Sequence, residues 1–389
     1  MTTSSTEDGR GPEVGPAAVR DRTERGILDV VLAEAGPLTR VDIAARTGLS
    51  KPTVNAAVRR LEKAGLLAPS GLQTGRQGRV ATFYEIAETA GAVVAVELNP
   101  SVIRVAVSDL LGRTVTREEI APPRCSEDVA RALQNAVLAA SGQARDAHTS
   151  LRAVAVSVAK PVDPRTLTVI ELPDTPYPEG LVQPAEILTE QIHAPLLVDN
   201  DVNLAALGEQ RCGVARQIPN FAYLYVGAGL GMGVVVEGNL VRGSRGLAGE
   251  IGYLPSRADT SGERHGLARA VSGFGLGPRR RDAWYADTVA EARAILQAAE
   301  DGDEQALSAV AQAGRALGEA ATAVCAITDP ELVILGGPVG TNALLLAEVQ
   351  KTLDDLAPEA TPVVPSALGE SAPLQGALEL ARRHACDNL

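Results

Sequence analysis

A chain of 389 residues has room for two or three domains. Hydrophobic residues at 45% and charged residues at 22% exclude a disordered chain, and no apolar run reaches the roughly 20 residues of a membrane-spanning helix. The net charge of −12 argues against nucleic acid only until its distribution is read: from Gly36 to Thr82 eight Lys or Arg stand against two acids, a net +6 that leaves −18 to the remainder.

Residues 1–22 are polar, with Pro and Gly and no apolar signal segment, and are expected to form a disordered leader on a cytoplasmic chain without membrane contact. The four cysteines, Cys125, Cys212, Cys325 and Cys386, form no close pair and read as reduced thiols. From Gly26 the apolar spacing becomes helical through Leu32 and stops at Gly36-Pro37. Thr39 is placed to cap a short helix ending at Gly48, and Ser50 to cap a third helix ending near Ala64. A hairpin with a Gly- and Arg-rich tip follows, up to Ile86.

That order, over 23–87, is a winged helix-turn-helix. In the third helix Val54, Val58 and Leu61 share the inward face, which turns Lys51, Thr53, Asn55, Arg59 and Arg60 outward. Asn suits adenine edges, and Arg or Lys suit guanine edges or phosphates. Ser50, at the helix N-terminus, is expected to leave amides for phosphate, and Arg76 and Arg79 at the tip suit a minor groove or the DNA backbone. The expected partner is a double-stranded operator, bound by a homodimer or a dimer of dimers.

Residues 88–389 alternate strand-like runs (92–98, 102–108, 153–158, 196–198, 221–226, 233–236, 332–335) with Ala- and Leu-rich helical stretches (128–140, 203–212, 288–299, 305–326), a layered α/β pattern. Two strand clusters, near 92–158 and 221–236, hint at an internal duplication.

Within this region the run Val198 to Glu209 (VDNDVNLAALGE) closely resembles the signature of the ROK family of repressors and sugar kinases. Ser157 to Asp163 (SVAKPVD), Gly227 to Gly233 (GAGLGMG), Arg242 to Gly252 (RGSRGLAGEIG), Leu335 to Pro338 (LGGP) and Leu374 to Ala377 (LQGA) resemble further family motifs in the same order. With the winged helix, the resemblance is to the family's transcriptional regulators of the xylose-repressor and N-acetylglucosamine-repressor type. It implies an actin-like, ribonuclease-H-like fold of two lobes around a cleft, the sugar kinase architecture.

Departures from the family pattern bear on function. The kinases carry Asp-x-Gly-x-Thr on the first hairpin to hold nucleotide phosphates, whereas this chain reads Glu97-Leu98-Asn99-Pro100-Ser101. Pro100 has no amide to donate, and Asn99 adds a side chain where phosphate must approach. The second loop keeps Gly227, Gly229 and Gly231 but has Ala228 for the usual Thr, and the third keeps Gly336 and Gly337. Asp201 falls at the family's general base, but phosphoryl transfer depends on the cradle, so a catalytically inactive domain without cofactor is expected. The family's zinc motif is absent: Tyr253 stands at its His, and no Cys lies between Cys212 and Cys325. His265 reads as an ordinary loop histidine.

Of the family's sugar ligands, Asn200, Asp201 and Glu250 match, while Tyr253 and Ala268 do not. A DNA-binding regulator, as a repressor, responsive to a carbohydrate or other small-molecule effector is the leading reading, with effector contacts at Asn200, Asp201, Glu250 and Tyr253. A ligand-independent regulator, in which these groups only tie loops together, and an active sugar kinase are the alternatives.

Overall fold

The computed structural model describes residues 16–33, 36–73, 81–99, 101–121, 125–146, 150–172, 182–257, 265–271, 274, 285–357, 359 and 361–389. Two compact units emerge, one built on the chain through Gly91 with residues 109–111 and 386–389, the other on Ala92–Ser108 and Gly112–Ala385.

The first unit packs α1 (Pro16–Ala33), α2 (Arg40–Thr47) and α3 (Lys51–Lys63) around Ile27, Val31, Ile43, Val54, Val58 and Leu61. Helix α1 begins at Pro16, inside the segment expected to be a disordered leader; Pro suits the first helical turn and Ala17-Ala18 continue it. The expected caps are present. Thr39 and Asp42 form a reciprocal capping box, Gly48 closes α2 in the left-handed conformation, and Ser50 caps α3. The wing is a three-stranded sheet of β1 (Leu38–Thr39), β2 (Leu67–Gln73) and β3 (Ala81–Ile86), ordered β1-β3-β2.

The second unit holds two five-stranded sheets. One consists of β4 (Ala92–Asn99), β5 (Val102–Asp109), β6 (Thr114–Ile120), β7 (Leu151–Val158) and β8 (Leu196–Asn200), ordered β6-β5-β4-β7-β8. The other consists of β9 (Phe221–Val226), β10 (Leu230–Val236), β11 (Asn239–Leu240), β12 (Leu332–Gly336) and β13 (Val363–Pro365), ordered β11-β10-β9-β12-β13. Both follow the order third-second-first-fourth-fifth, which bears out the hinted duplication as a repeated topology. Helices α4 (Ser126–Asp146) and α5 (Pro184–Leu188) cover the first sheet, with Val129, Leu133 and Val137 packed on Val94, Val96 and Val156.

Helix α6 (Asp201–Cys212) follows β8 directly. The short α7 (Gly266–Ala270) and α10 (Gly337–Gly340), with α8 (Tyr285–Glu300), α9 (Glu304–Thr328) and α11 (Ala343–Leu356), cover the second sheet; Leu317 and Leu345 meet Leu224 and Leu335 there. Helix α12 (Ala372–Asp387) closes the chain. This is the two-lobed α/β fold expected. In open α/β sheets ligands bind beyond the carboxyl ends of parallel strands. Those ends carry Glu97 on β4, Ser157 on β7, Asp199 and Asn200 on β8, and Gly336 on β12.

Candidate functional site: a helix face and a two-chambered cleft

In the first unit, α3 turns Val54, Ala57, Val58 and Leu61 inward and leaves Lys51, Thr53, Asn55, Arg59 and Arg60 exposed. The outward residues are not equivalent. The Arg60 guanidinium is hydrogen-bonded to the Glu24 carboxylate of α1, which neutralises its charge at the surface. Thr53 gives its hydroxyl to a 2.7 Å hydrogen bond with Ser50, and its amide donates to the Ser50 hydroxyl at 3.3 Å. Pro52 has no amide, so two of the first three helical positions offer phosphate none. That corrects the expectation that Ser50 leaves amides for an anion: the cap itself uses one. Arg40, which ties Glu62 at 3.3 Å and lies 4.9 Å from the Tyr84 ring centre, braces α2 against α3 and the wing. Arg76 and Arg79 lie outside the described residues.

Two chambers occupy the cleft of the second unit. The smaller, about 140 Å³, is lined by Asn200, Asp201 and Glu250 with Lys160, Asn203 and the loop around Gly229. The larger, about 450 Å³, is lined by Glu97, Arg104, Tyr223, Arg293, Gly337 and Glu370. Asn99, Asp201 and Tyr225 line both and form the partition between them.

The smaller chamber is built on the β8–α6 junction. Asn200 caps α6: its Oδ1 accepts from the Val202 amide at 2.9 Å and the Asn203 amide at 3.2 Å. Its Nδ2 donates to the Lys160 carbonyl at 3.2 Å and to Asp201 Oδ1 at 3.1 Å. Four bonds fill an asparagine amide. Asn200 is therefore spent on tying loops together, the structural role held open for it from sequence, and it positions its neighbours. Asp201 Oδ1 also takes the Val202 amide at 2.9 Å. Burial pushes the Asp201 carboxyl up to about 7, with the negative charges of Glu97 and Glu250 adding to the rise. Burial likewise lifts Glu250 to about 7 against the pull of Lys160. Gly246 brings the loop carrying Glu250 against the Ser157–Asp163 loop: at φ +73°, a Cβ there would lie 1.8 Å from the Val162 carbonyl oxygen, so only glycine fits.

Tyr253 is not among the residues lining either chamber; its ring packs on His265, with centroids 4.1 Å apart. His265 is a buried residue in the left-handed conformation at the start of α7, more constrained than an ordinary loop histidine. Zinc does not fit here. The segment lacks cysteine, a tyrosine ring fills the place of the family His, and among the described residues no cluster of His, Cys, Asp and Glu could hold a metal.

In the larger chamber the first loop carries an ion-pair chain. Arg104 Nη1 donates to Glu97 at 3.1 and 3.2 Å and to the Glu370 carbonyl at 3.2 Å, while its Nε reaches Glu119 at 2.9 Å. Glu370 in turn accepts from Arg293 at 2.8 Å, and Arg293 also bonds the Pro338 carbonyl at 3.3 Å. Burial holds Glu97 up near 7 even beside Arg104.

Tyrosines pack closely against the glycine loops. A Cβ on Gly227 would lie 2.6 Å from the Tyr225 hydroxyl, and one on Gly336 would lie 2.0 Å from the Tyr223 hydroxyl. The Gly337 amide donates to Tyr223, and Gly227 donates its amide to the Gly229 carbonyl at 3.1 Å. These two amides are engaged within the protein, and the buried Glu97 carboxyl stands at the first loop. Gly231 packs against Val202 at the base of the smaller chamber. Sequence reasoning missed Lys160, Arg104, Tyr223, Tyr225, Arg293 and Glu370. The available signals were a lysine inside SVAKPVD and two tyrosines at alternate positions of one strand, hence on one face.

Comparison with known proteins agrees with this geometry. The profile of the ROK family matches residues 93–384, and that of a winged helix-turn-helix DNA-binding domain matches residues 20–68. A xylose repressor of Caldicellulosiruptor bescii is 24% identical over 77% of this chain and 79% of its own. The DNA-binding transcriptional dual regulator NagC of Escherichia coli is 25% identical over 91% of this chain and 90% of its own. Among solved structures, a ROK family transcriptional regulator described as a homologue of the E. coli MLC protein superposes with a TM-score of 0.73 at 19% identity, covering 95% of this chain and 98% of its own. The repeated sheet topology, the capped β8–α6 junction and the profile match over three quarters of the sequence together make this chain a member of the ROK family, with a winged helix-turn-helix on its N-terminal side.

Proposed function

We propose that this protein is a DNA-binding transcription regulator, acting as a repressor, whose kinase-like domain senses a sugar-type effector and transfers no phosphate. The observation that carries the reading is the pairing of an exposed basic helix face, Lys51, Asn55 and Arg59, with a cleft whose first loop carries a buried Glu97 carboxyl ion-paired to Arg104. Relatives named as a xylose repressor and a transcriptional regulator, similar over most of their length, support it.

Asp201 keeps the position of a general base and lines both chambers with Asn99 and Tyr225. A base can act only on a hydroxyl held in line with a bound phosphoryl group. The protein acts as a homodimer on a palindromic operator, since two copies of one recognition helix read two half-sites about one or two helical turns apart. The ligand-independent reading draws on one specific observation, the four structural hydrogen bonds of Asn200.

A coupled assay of ADP release with magnesium ATP and glucose, N-acetylglucosamine, mannose or xylose tests the catalytic half. No turnover above the protein-free rate is expected. Turnover that disappears in Asp201→Asn would sink it.

A further inference from the structure

Two crossings join the two five-stranded sheets of the second unit. One is α6, between β8 and β9; the other is the segment after β13 that leads into α12. Helix α12 lies against α6, where a Cβ on Gly376 would come within 1.7 Å of the Leu204 carbonyl oxygen, and it reaches the β5–β6 turn, where a Cβ on Gly112 would lie 4.0 Å from Arg382. Relative motion of two lobes is absorbed at a few residues in connections of this kind.

The crossings are pinned to each other by Glu209 of α6, which is fully buried. One of its carboxylate oxygens accepts from the Ser366 hydroxyl and from the Leu368 amide at 3.0 Å; the other accepts from the Val214 amide at 2.9 Å. Two residues beyond Leu368 the fastening changes character. The Glu370 carboxylate is shared between the sheets: Oε1 accepts from Arg293 of α8 at 2.8 Å, and Oε2 lies 3.7 Å from Arg104 of β5. Each arginine is also held on its own side, Arg104 by Glu97 and Glu119, Arg293 by the Pro338 carbonyl. Among the described residues, Glu370 is the carboxylate that both arginines share, and all three line the larger chamber.

The links of this chain differ in strength. Arg104 and Glu97 are 12% and 2% exposed, so parting them would strand a buried charge. Glu370 and Arg293 are 54% and 55% exposed, where an ion pair is weak and reversible. The chain therefore parts first between Glu370 and Arg293.

We propose that Glu370 is a releasable clasp: by bridging Arg104 and Arg293 it holds the two sheets together along the larger chamber, and its release from Arg293 lets the chamber open while the buried Glu209 fastening stays made. The clasp goes beyond the sensing role proposed above and operates whether or not the smaller chamber takes an effector.

The test is the rate of iodoacetamide alkylation of a cysteine placed on either wall of the larger chamber, Val289→Cys on α8 or Val102→Cys on β5, in the full chain. Peptide mass spectrometry reads each site separately, and the buried Cys386 reports loosening of the fold as a whole. Adding Glu370→Gln or Arg293→Gln should raise the rate at both walls about two- to fivefold, the range that an ion pair of this exposure supports. The rate at Cys386 should not change. The two substitutions together should add nothing to either alone, and Arg293→Lys should stay close to the parent. Salt should speed alkylation of the parent more than that of the Glu370→Gln protein, because it screens a pair that the variant lacks. Unchanged rates at both walls overturn the clasp. So does a rise confined to Val289→Cys, which would mark local loosening of α8, or an equal rise at Cys386.

Discussion

Asp201 and Glu250 hold their protons to about pH 7, well above their ordinary values of 3.8 and 4.5, because burial penalises the charged forms. The folded state therefore binds more protons than the unfolded chain between about pH 4 and 7. Their contribution to stability is present below that window, falls as pH rises through it and levels off above 7. Melting curves across this window should show Glu250→Gln and Asp201→Asn flattening the fall in stability relative to wild type; an unchanged slope in both variants contradicts the assigned burial. The resemblance of VDNDVNLAALGE and RGSRGLAGEIG brought these residues out of the sequence, because a motif carries identity and order. It could not show that Asn200 spends its four hydrogen bonds on loops, since hydrogen-bond occupancy depends on neighbours 40 residues away in the chain, such as Lys160. Nor could it show that the Tyr253 ring, which alignment puts at a ligand position, packs on His265.

Helix α3 tests what exposure alone can mean. Lys51, Arg59 and Arg60 all lie on its outer surface, but Arg60 is tied to Glu24 of α1. In operator binding followed by fluorescence anisotropy, Lys51→Ala and Arg59→Ala should each weaken affinity, with a base-reading contact worth about 1–3 kcal/mol and a phosphate contact seen as a smaller salt dependence. Arg60→Ala should leave affinity nearly unchanged; a loss equal to that of Arg59→Ala would show that DNA pulls Arg60 from Glu24. Leu61→Ala, on the buried face of the same helix, should cost about 2–5 kcal/mol of stability. Elements with strong local signals were legible: the capped α2 and α3, the apolar strands β4, β7 and β9, and the long α9. Those missed had weak ones. β6 reads TVTREEI and is largely exposed, β13 is three residues beside Pro, and β1 is a two-residue strand that exists because β3 pairs with it.

At the scale of the whole molecule, the duplicated sheet order places two strand-end edges at one cleft, and an ion-pair chain of Glu97, Arg104, Glu370 and Arg293 lines the larger chamber. A fold of this kind transmits binding in one chamber to its surroundings only if a ligand favours one arrangement of the domain over another. If the proposed function holds, operator and effector are linked, and each must change the other's affinity by the same factor. The most direct measurement is the affinity of the full chain for its selected operator, by fluorescence anisotropy, with and without glucose, N-acetylglucosamine, mannose or xylose at saturation. A regulator that senses through its kinase-like domain should show a shift of about 5- to 150-fold with at least one of them, equivalent to about 1–3 kcal/mol of coupling, and Glu250→Ala should abolish it. Operator binding that is identical in the presence of every sugar contradicts the account.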